Sequence, residues 1–173
     1  MKYLFATLVA WFLAVLNVSA LPYMKIIGVT PDLVLILAAC YAVLRPQDEA
    51  MIAVPIAGLM HDLTNGDPLG ASVLGFAPLV LLAAVVRIRA VETQLIPALI
   101  VVSAGTLTWG AVRMSVLAVT GQEVQWFDAT LRVIVPLAVV NTLFLPLIYM
   151  PLSWFSAAQR QGIMGGGRIT SPL

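Results

Sequence analysis

The residue types best suited to chemistry cluster in one run near the middle of the chain, where His61 and Asp62 end an apolar stretch. A carboxylate near lipid is costly unless it has a partner, so Asp62 is the leading candidate for a polar contact. Glycine and proline around it favour a tight reversal of the chain. We define this turn motif by its five residues: Gly58, Gly66, Asp67, Pro68 and Gly70.

His61 beside Asp62 suggests acid–base chemistry, but the sequence supplies little to complete a catalytic site. His61 is the sole histidine and Cys40 the sole cysteine, which excludes an intramolecular disulfide and a multi-histidine or cysteine metal cluster. There is no nucleophile elbow and no glycine-rich phosphate loop. We therefore predict no catalytic residue, no metal and no cofactor, and we interpret His61 as structural.

Composition places these residues in a membrane protein. Hydrophobic residues make up 61% of the chain and charged residues only 10%, against about 25% charged in soluble domains. The net charge of +1 and the scattered cations exclude a nucleic-acid-binding surface.

Six apolar segments approach the length of about 20 residues that crosses a bilayer as a helix. They are residues 3–21, 31–44, 48–63, 69–86, 95–119 and 129–155. The first resembles a signal peptide, but we predict a retained helix. The second and third are short, so they cross incompletely, are shielded by longer neighbours or form a re-entrant pair.

The fold class predicted is thus an all-α bundle of about six transmembrane helices, kinked at internal prolines. Residues 1–158 form this polytopic bundle, and residues 159–173 form a flexible cytoplasmic C-terminal tail. Cytoplasmic termini place six cations inside and three outside, which satisfies the positive-inside rule. The inner cations are Lys2, Arg45, Arg87, Arg89, Arg160 and Arg168.

That orientation brings two acids and two arginines to the outer level of the membrane: Asp32, Asp62, Arg113 and Arg132. Because arginine binds carboxylates with two parallel hydrogen bonds, we expect Asp62 to pair with Arg113 or Arg132. This outer ionic cluster either fixes helix register or forms a polar site or partner-binding patch.

Small residues recur at helical spacing on two segments. The fifth carries Ser103, Thr106, Gly110 and Arg113, a stripe that suits a packed face or a cavity wall. The first carries Ala6, Ala10 and Ala14, which would let another helix approach closely, either within the chain or in a partner.

Three patterns together resemble the MreD family of rod shape-determining membrane proteins. They are Pro31-Asp32-Leu33, the run ending at Arg45, and Gly58 with Asp62 before residues 66–70. The resemblance is best over residues 31–89. It implies a non-enzymatic, multi-pass protein of the bacterial inner membrane that acts in the cell-elongation machinery, or elongasome.

The same resemblance implies partners and a fold. The partners are the membrane helix of MreC and, through MreC, MreB, RodA and a class B penicillin-binding transpeptidase, which link the protein to peptidoglycan synthesis and rod cell shape. Membrane lipids surround the bundle. The family is also considered similar to the S components of energy-coupling-factor vitamin transporters, which use an alanine stripe on their first helix to meet a partner subunit.

Two functions from different classes follow. One is a scaffold with a packed interior and outer faces that bind protein helices. The other is a substrate-binding S-type component of a vitamin transporter, which needs an outward-facing cavity with convergent polar groups. The candidates for such a cavity are Asp62, Thr106, Arg113, Arg132 and Asn141.

Overall fold

Long apolar helices dominate the structure, a computed structural model that describes residues 2–23, 25–66, 68–89 and 95–165. The first five helices are α1 (Lys2–Ser19), α2 (Leu33–Leu44), α3 (Gln47–Asn65), α4 (Ala71–Arg89) and α5 (Leu95–Val119). Each lies within three residues of a predicted segment. Within the described ranges there is no β-strand, only an isolated bridge between Ile26 and Val29. The all-helical prediction is confirmed.

The sixth segment is one rod made of three consecutive pieces. A short helix α6 (Trp126–Ala129) leads into a π-helical turn (Thr130–Ile134) and then into α7 (Val135–Gly165). The helix therefore continues past residue 158, after which we placed the tail, and it passes through Gly162 before it ends at Gly165. Residues 166–173 lie outside the described part.

Two of the helical elements are long and apolar enough to cross a membrane. They are Leu95–Val119 and the stretch Trp126–Trp154. Of the other helices that we expected to span, α2 has only 12 residues, about 18 Å of helix, and α3 carries three acids and a histidine. The described residues thus show six helical segments, with two spans identified by length and composition.

Helix α2 forms the centre of the bundle. Every side chain from Val34 to Leu44 is buried, and α2 contacts α1, α3, α4, α5 and α7. A helix surrounded on all sides by other helices need not match the thickness of a bilayer itself. This arrangement favours the shielded alternative among those predicted for the short second segment.

The two ends of the bundle differ in where their charged side chains lie. At one end, Arg87 on α4 donates to the carbonyl oxygens of Ala42 and Arg45. Nη1 of Arg45 lies 3.9 Å from Oε2 of Glu49. These contacts close the C-terminal end of α2. At the opposite end the helices diverge around a cavity, and the polar residues described next lie beside it.

Candidate functional site

Asp32 starts helix α2, and both of its carboxylate oxygens lie within hydrogen-bond distance of donors. One oxygen accepts from the backbone N–H groups of Val34 and Leu35, both at 3.1 Å, and from the Asn17 amide at 3.3 Å. The other lies 2.9 Å from His61 Nε2. The first two bonds are N-cap contacts, with Asp32 itself in the N-cap position of α2. Four donors thus satisfy a carboxylate that is almost fully buried.

Asp62 has a different role from the one we predicted. Its carboxylate accepts the backbone N–H of Gly70 at 2.8 Å and that of Ser72 at 2.9 Å. Ser72 lies in the first turn of α4, whose N–H groups have no partner within their own helix, and Gly70 immediately precedes that helix. The prediction that Asp62 pairs with Arg113 or Arg132 is therefore wrong. Backbone donors take both oxygens because the tight turn delivers α4 directly onto the end of α3.

The turn motif explains how the chain reaches that position. Gly66 ends α3 with φ of 69° and donates its N–H to the Asp62 carbonyl, and Gly70 has φ of 96°. Both are left-handed conformations that glycine adopts without strain. Gly58 serves packing instead, since an added Cβ would lie 2.9 Å from the backbone of Ser72 and Val73. Asp67 lies outside the described residues.

His61 joins three helices through its two ring nitrogens. Nε2 contacts Asp32 at the start of α2, and Nδ1 lies 2.8 Å from Ser72 Oγ on α4. Because an ionised carboxylate only accepts, the ring donates to Asp32 through Nε2, and the direction of the bond between Nδ1 and the Ser72 hydroxyl follows from the protonation of the ring. The side-chain nitrogen of Asn65, one turn later on α3, lies 2.8 Å from Nε2 and 3.1 Å from Nδ1. Ser72 Oγ in turn accepts the indole N–H of Trp109 on α5 at 3.3 Å. The structural interpretation of His61 has a physical basis in these contacts.

Asn141 closes the same chain of bonds from the other side. Its side-chain oxygen accepts the backbone N–H of Asp32 at 2.8 Å, and its nitrogen donates to Thr106 Oγ1 at 3.1 Å. Thr106 and Trp109 both lie on α5, so the bonds run through α5, α4, α3, the start of α2 and α7, then back to α5. We call this set the polar belt; its members are Asp32, His61, Ser72, Thr106, Trp109 and Asn141.

The belt satisfies polar groups that would be costly inside an apolar bundle. The sequence singled out Asp32, His61, Thr106 and Asn141. It missed Ser72 and Trp109. Isolated polar residues in apolar helices were the available signal, but their partners depend on how the helices rotate against each other.

Ser72, His61 and Asp32 stand in the order of a nucleophile–base–acid relay, but the surroundings do not suit acyl transfer. Ser72 is only 1% exposed, and its oxygen already accepts from Trp109. A carbonyl substrate has no approach to that oxygen in this conformation. The geometry fits a structural belt better than a nucleophile.

A cavity of about 1000 Å³ lies directly beside the belt. Asp32, His61 and Trp109 form part of its inner wall, and Arg113 and Arg132 also line it. Three members of the predicted outer ionic cluster therefore share one cavity. Asp62 is not among its lining residues.

The two arginines of this cavity have distinct surroundings. Arg113 places its guanidinium carbon 5.4 Å from the Trp109 ring centroid, a cation–π arrangement. Arg132 lies at the rim, 79% exposed, and its Nε is 3.3 Å from Asp128 one helical turn earlier. An exposed pair of this kind contributes little to stability, so Arg132 retains freedom to meet other groups.

The small-residue stripes both pack inside the chain. Ser103 Oγ lies 2.9 Å from Thr142 on α7, and Gly110 leaves room for Ile134 of the π-helical turn. Ala10 and Ala14 are buried against the bundle, and α1 contacts α2 and α3. The side chain of Ala6 lies outside the described set. The two described alanines therefore serve helix packing within the chain and are not available to a partner.

Comparison with known proteins adds the family to this geometry. The sequence model of rod shape-determining protein MreD matches residues 1–157 of the 173-residue chain. The chain belongs to the MreD family. No curated protein and no solved structure matches it.

Membership of the MreD family confirms the resemblance first seen over residues 31–89 and extends it to most of the chain. It gives the chain a role in rod shape determination and places it in a family of membrane proteins, in keeping with the two apolar spans. This is a shape-determining family rather than an enzyme family. The likeness to energy-coupling-factor S components stays a prediction.

Proposed function

We propose that the chain is a non-enzymatic scaffold of the elongasome that binds the membrane helix of MreC and so influences peptidoglycan synthesis and rod cell shape. The observation that carries the proposal is the family match over residues 1–157. Links to MreB, RodA and a class B penicillin-binding transpeptidase would run through MreC. The bundle would lie in the bacterial inner membrane with both termini in the cytoplasm.

Helix α1 offers the surface best suited to MreC. With Ala10 and Ala14 turned into the bundle, the opposite side of the helix exposes Leu8, Trp11 and Phe12. Trp11 is 54% exposed halfway along the 18-residue helix, about 13 Å from either end. Tryptophan facing lipid concentrates at membrane interfaces rather than at mid-depth. A mid-helix tryptophan on an outer face therefore favours contact with another protein helix.

The mechanism would be positional. A rigid bundle that holds the MreC helix against α1 would set the angle at which the external domain of MreC leaves the membrane. That domain could then bias the wall synthase between inactive and active states, which requires that its contacts differ between those states. The polar belt supports this role, because buried networks with satisfied partners fix helix register.

Site-specific photocrosslinking tests the docking face. A photoreactive residue at position 11 of the full-length chain, co-expressed with MreC of the same organism, should crosslink to MreC. A matched control at position 143 on α7 is also apolar and well exposed, and it should crosslink far less. Equal crosslinking at both positions, or crosslinking at position 143 alone, would refute α1 as the docking face. Failure of MreC to co-purify with the unmodified chain would refute the scaffold itself.

The S-type transporter component remains the second candidate because the structure has a cavity partly lined by polar residues, which would open outward in the predicted orientation. The burial of Ala10 and Ala14 counts against it, since the alanine stripe would have to face a coupling subunit. Affinity purification from native membranes separates the two candidates. Co-purification of ATPases with a membrane coupling subunit would support transport, and recovery of MreC with wall synthases would support the scaffold.

A further inference from the structure

The cavity beside the polar belt has one wall that is distinctly apolar. Its residues come from the outer half of α5, from the π-helical turn and from the start of α7: Met114, Leu117, Val133, Ile134 and Leu137. Val133 is also half exposed on the outside of the rod. The apolar wall is therefore continuous with the apolar exterior of the bundle, so a hydrocarbon chain could run from the cavity to the surrounding lipid.

The remaining lining contains charged groups of both signs, and these groups differ in the hydrogen bonds and ion pairs that they already form. The acids are Asp32, Glu123 and Asp128, and the cations are Lys25, Arg113 and Arg132. The Asp32 carboxylate is occupied by four donors, and Asp128 lies in an ion pair with Arg132. Glu123 is exposed in the loop between α5 and α6.

Arg113 is the cation best placed to recognise an anion. It lies on the α5 side of the cavity beside the Trp109 ring, where the aromatic face holds the guanidinium plane. A guanidinium carries five N–H donors, enough to keep its existing contacts and still bind phosphate oxygens with a two-pronged geometry. Arg132 and Lys25 add positive charge to the same lining.

We infer that this cavity binds an anionic amphiphile, with a phosphate-type headgroup at Arg113 and Arg132 and an apolar chain along the wall formed by α5 and α7. The inference goes beyond the scaffold proposal, because it needs neither MreC nor the α1 face. Volume, lining and position agree: about 1000 Å³ accommodates a headgroup with the first part of its chain.

Tryptophan quenching by brominated lipid tests the site with the full-length chain. The chain has four tryptophans, so Trp11, Trp126 and Trp154 are replaced by phenylalanine to leave Trp109 as the reporter in the cavity. The protein is placed in nanodiscs containing brominated phosphatidylglycerol or brominated phosphatidylcholine at the same mole fractions. We expect stronger quenching of Trp109 by the anionic lipid, and this excess should persist in an excess of inorganic phosphate.

Three variants make the result specific. Arg113→Met should raise the phosphatidylglycerol fraction needed for half-maximal quenching about tenfold, as expected for one charge-assisted hydrogen-bonding group. Arg132→Gln should give a smaller change in the same direction, and its exposed side chain can be replaced without disturbing the fold. Glu123→Gln removes a negative charge from the same cavity, so binding should stay equal or tighten.

The outcomes separate the possible ligands. Equal quenching by the two lipids in the parent chain would overturn the inference, as would an excess that neither arginine variant reduces. If inorganic phosphate alone abolishes the excess, a free anion suffices and the amphiphile is refuted. If Arg113→Met lowers the unfolding temperature, the Arg132→Gln result decides.

Discussion

The contact between Asp62 and the start of α4 leads to the most discriminating prediction. Asp62→Ala removes the acceptor for the N–H groups of Gly70 and Ser72, now 2.8 and 2.9 Å away. Leaving the buried N–H of Ser72 without an acceptor should lower the free energy of unfolding by about 2 kcal/mol. The N–H of Gly70 can reach water, so the loss of its acceptor should cost about 1 kcal/mol. We expect the variant to lose about 3 kcal/mol of unfolding free energy.

The assay is thermal unfolding of the purified chain in detergent, followed by far-UV circular dichroism. For a chain of this size, about 3 kcal/mol corresponds to a fall in Tm of roughly 6–12 °C. Asp62→Asn keeps one acceptor oxygen, so its effect should be about half as large. Asp48→Asn is the matched control on the same helix, an exposed first-turn acid whose loss costs about 0.5 kcal/mol.

A double-mutant cycle distinguishes this account from the ion pair that the sequence suggested. Asp62→Asn and Arg113→Gln should be additive within about 0.5 kcal/mol, because the two residues share no hydrogen bond in the structure. A coupling energy of 1 kcal/mol or more would show that they interact directly and would refute the capping account. The capping account would also be refuted if the Tm of Asp62→Ala lay within 1 °C of the Tm of the parent chain.

Three further predictions rest on single contacts and use the same unfolding assay. Gly58→Ala places a Cβ 2.9 Å from the backbone of α4 and should cost about 1–3 kcal/mol by overpacking. Gly66→Ala meets no atom within 4 Å and should show only the backbone strain of about 1 kcal/mol, so a smaller loss at position 58 than at position 66 would contradict the close helix approach. Ala14→Leu should lower Tm in the isolated chain because the site is fully buried, whereas Phe12→Leu on the exposed face should not; a Tm unchanged in both would place Ala14 outside the packed interior. Asn141→Leu leaves the buried N–H of Asp32 without its acceptor and should cost about 1–3 kcal/mol, and an unchanged unfolding temperature would show that the belt does not need this member.

These tests also bear on how membrane bundles use polar residues. The belt links five helical elements through six side chains that are all buried, and Asn17 on α1 adds the remaining long helix through its bond to Asp32. Lipid offers little hydrophobic drive for helices to associate, so small-residue packing and interhelical hydrogen bonds must supply specificity. Such a bundle can present a fixed outer surface, as a scaffold requires.

The amino-acid sequence by itself determined the helical class, the approximate limits of the first five helices and the family, because apolar run length, proline and glycine placement and helix-start residues act locally. The burial of α2, the turn of Ala10 and Ala14 into the bundle, and the partners of Asp62, His61 and Ser72 were decided only by the tertiary structure. Those features depend on how each helix rotates about its axis, and in chains that are apolar on every side the hydrophobic pattern does not fix that rotation.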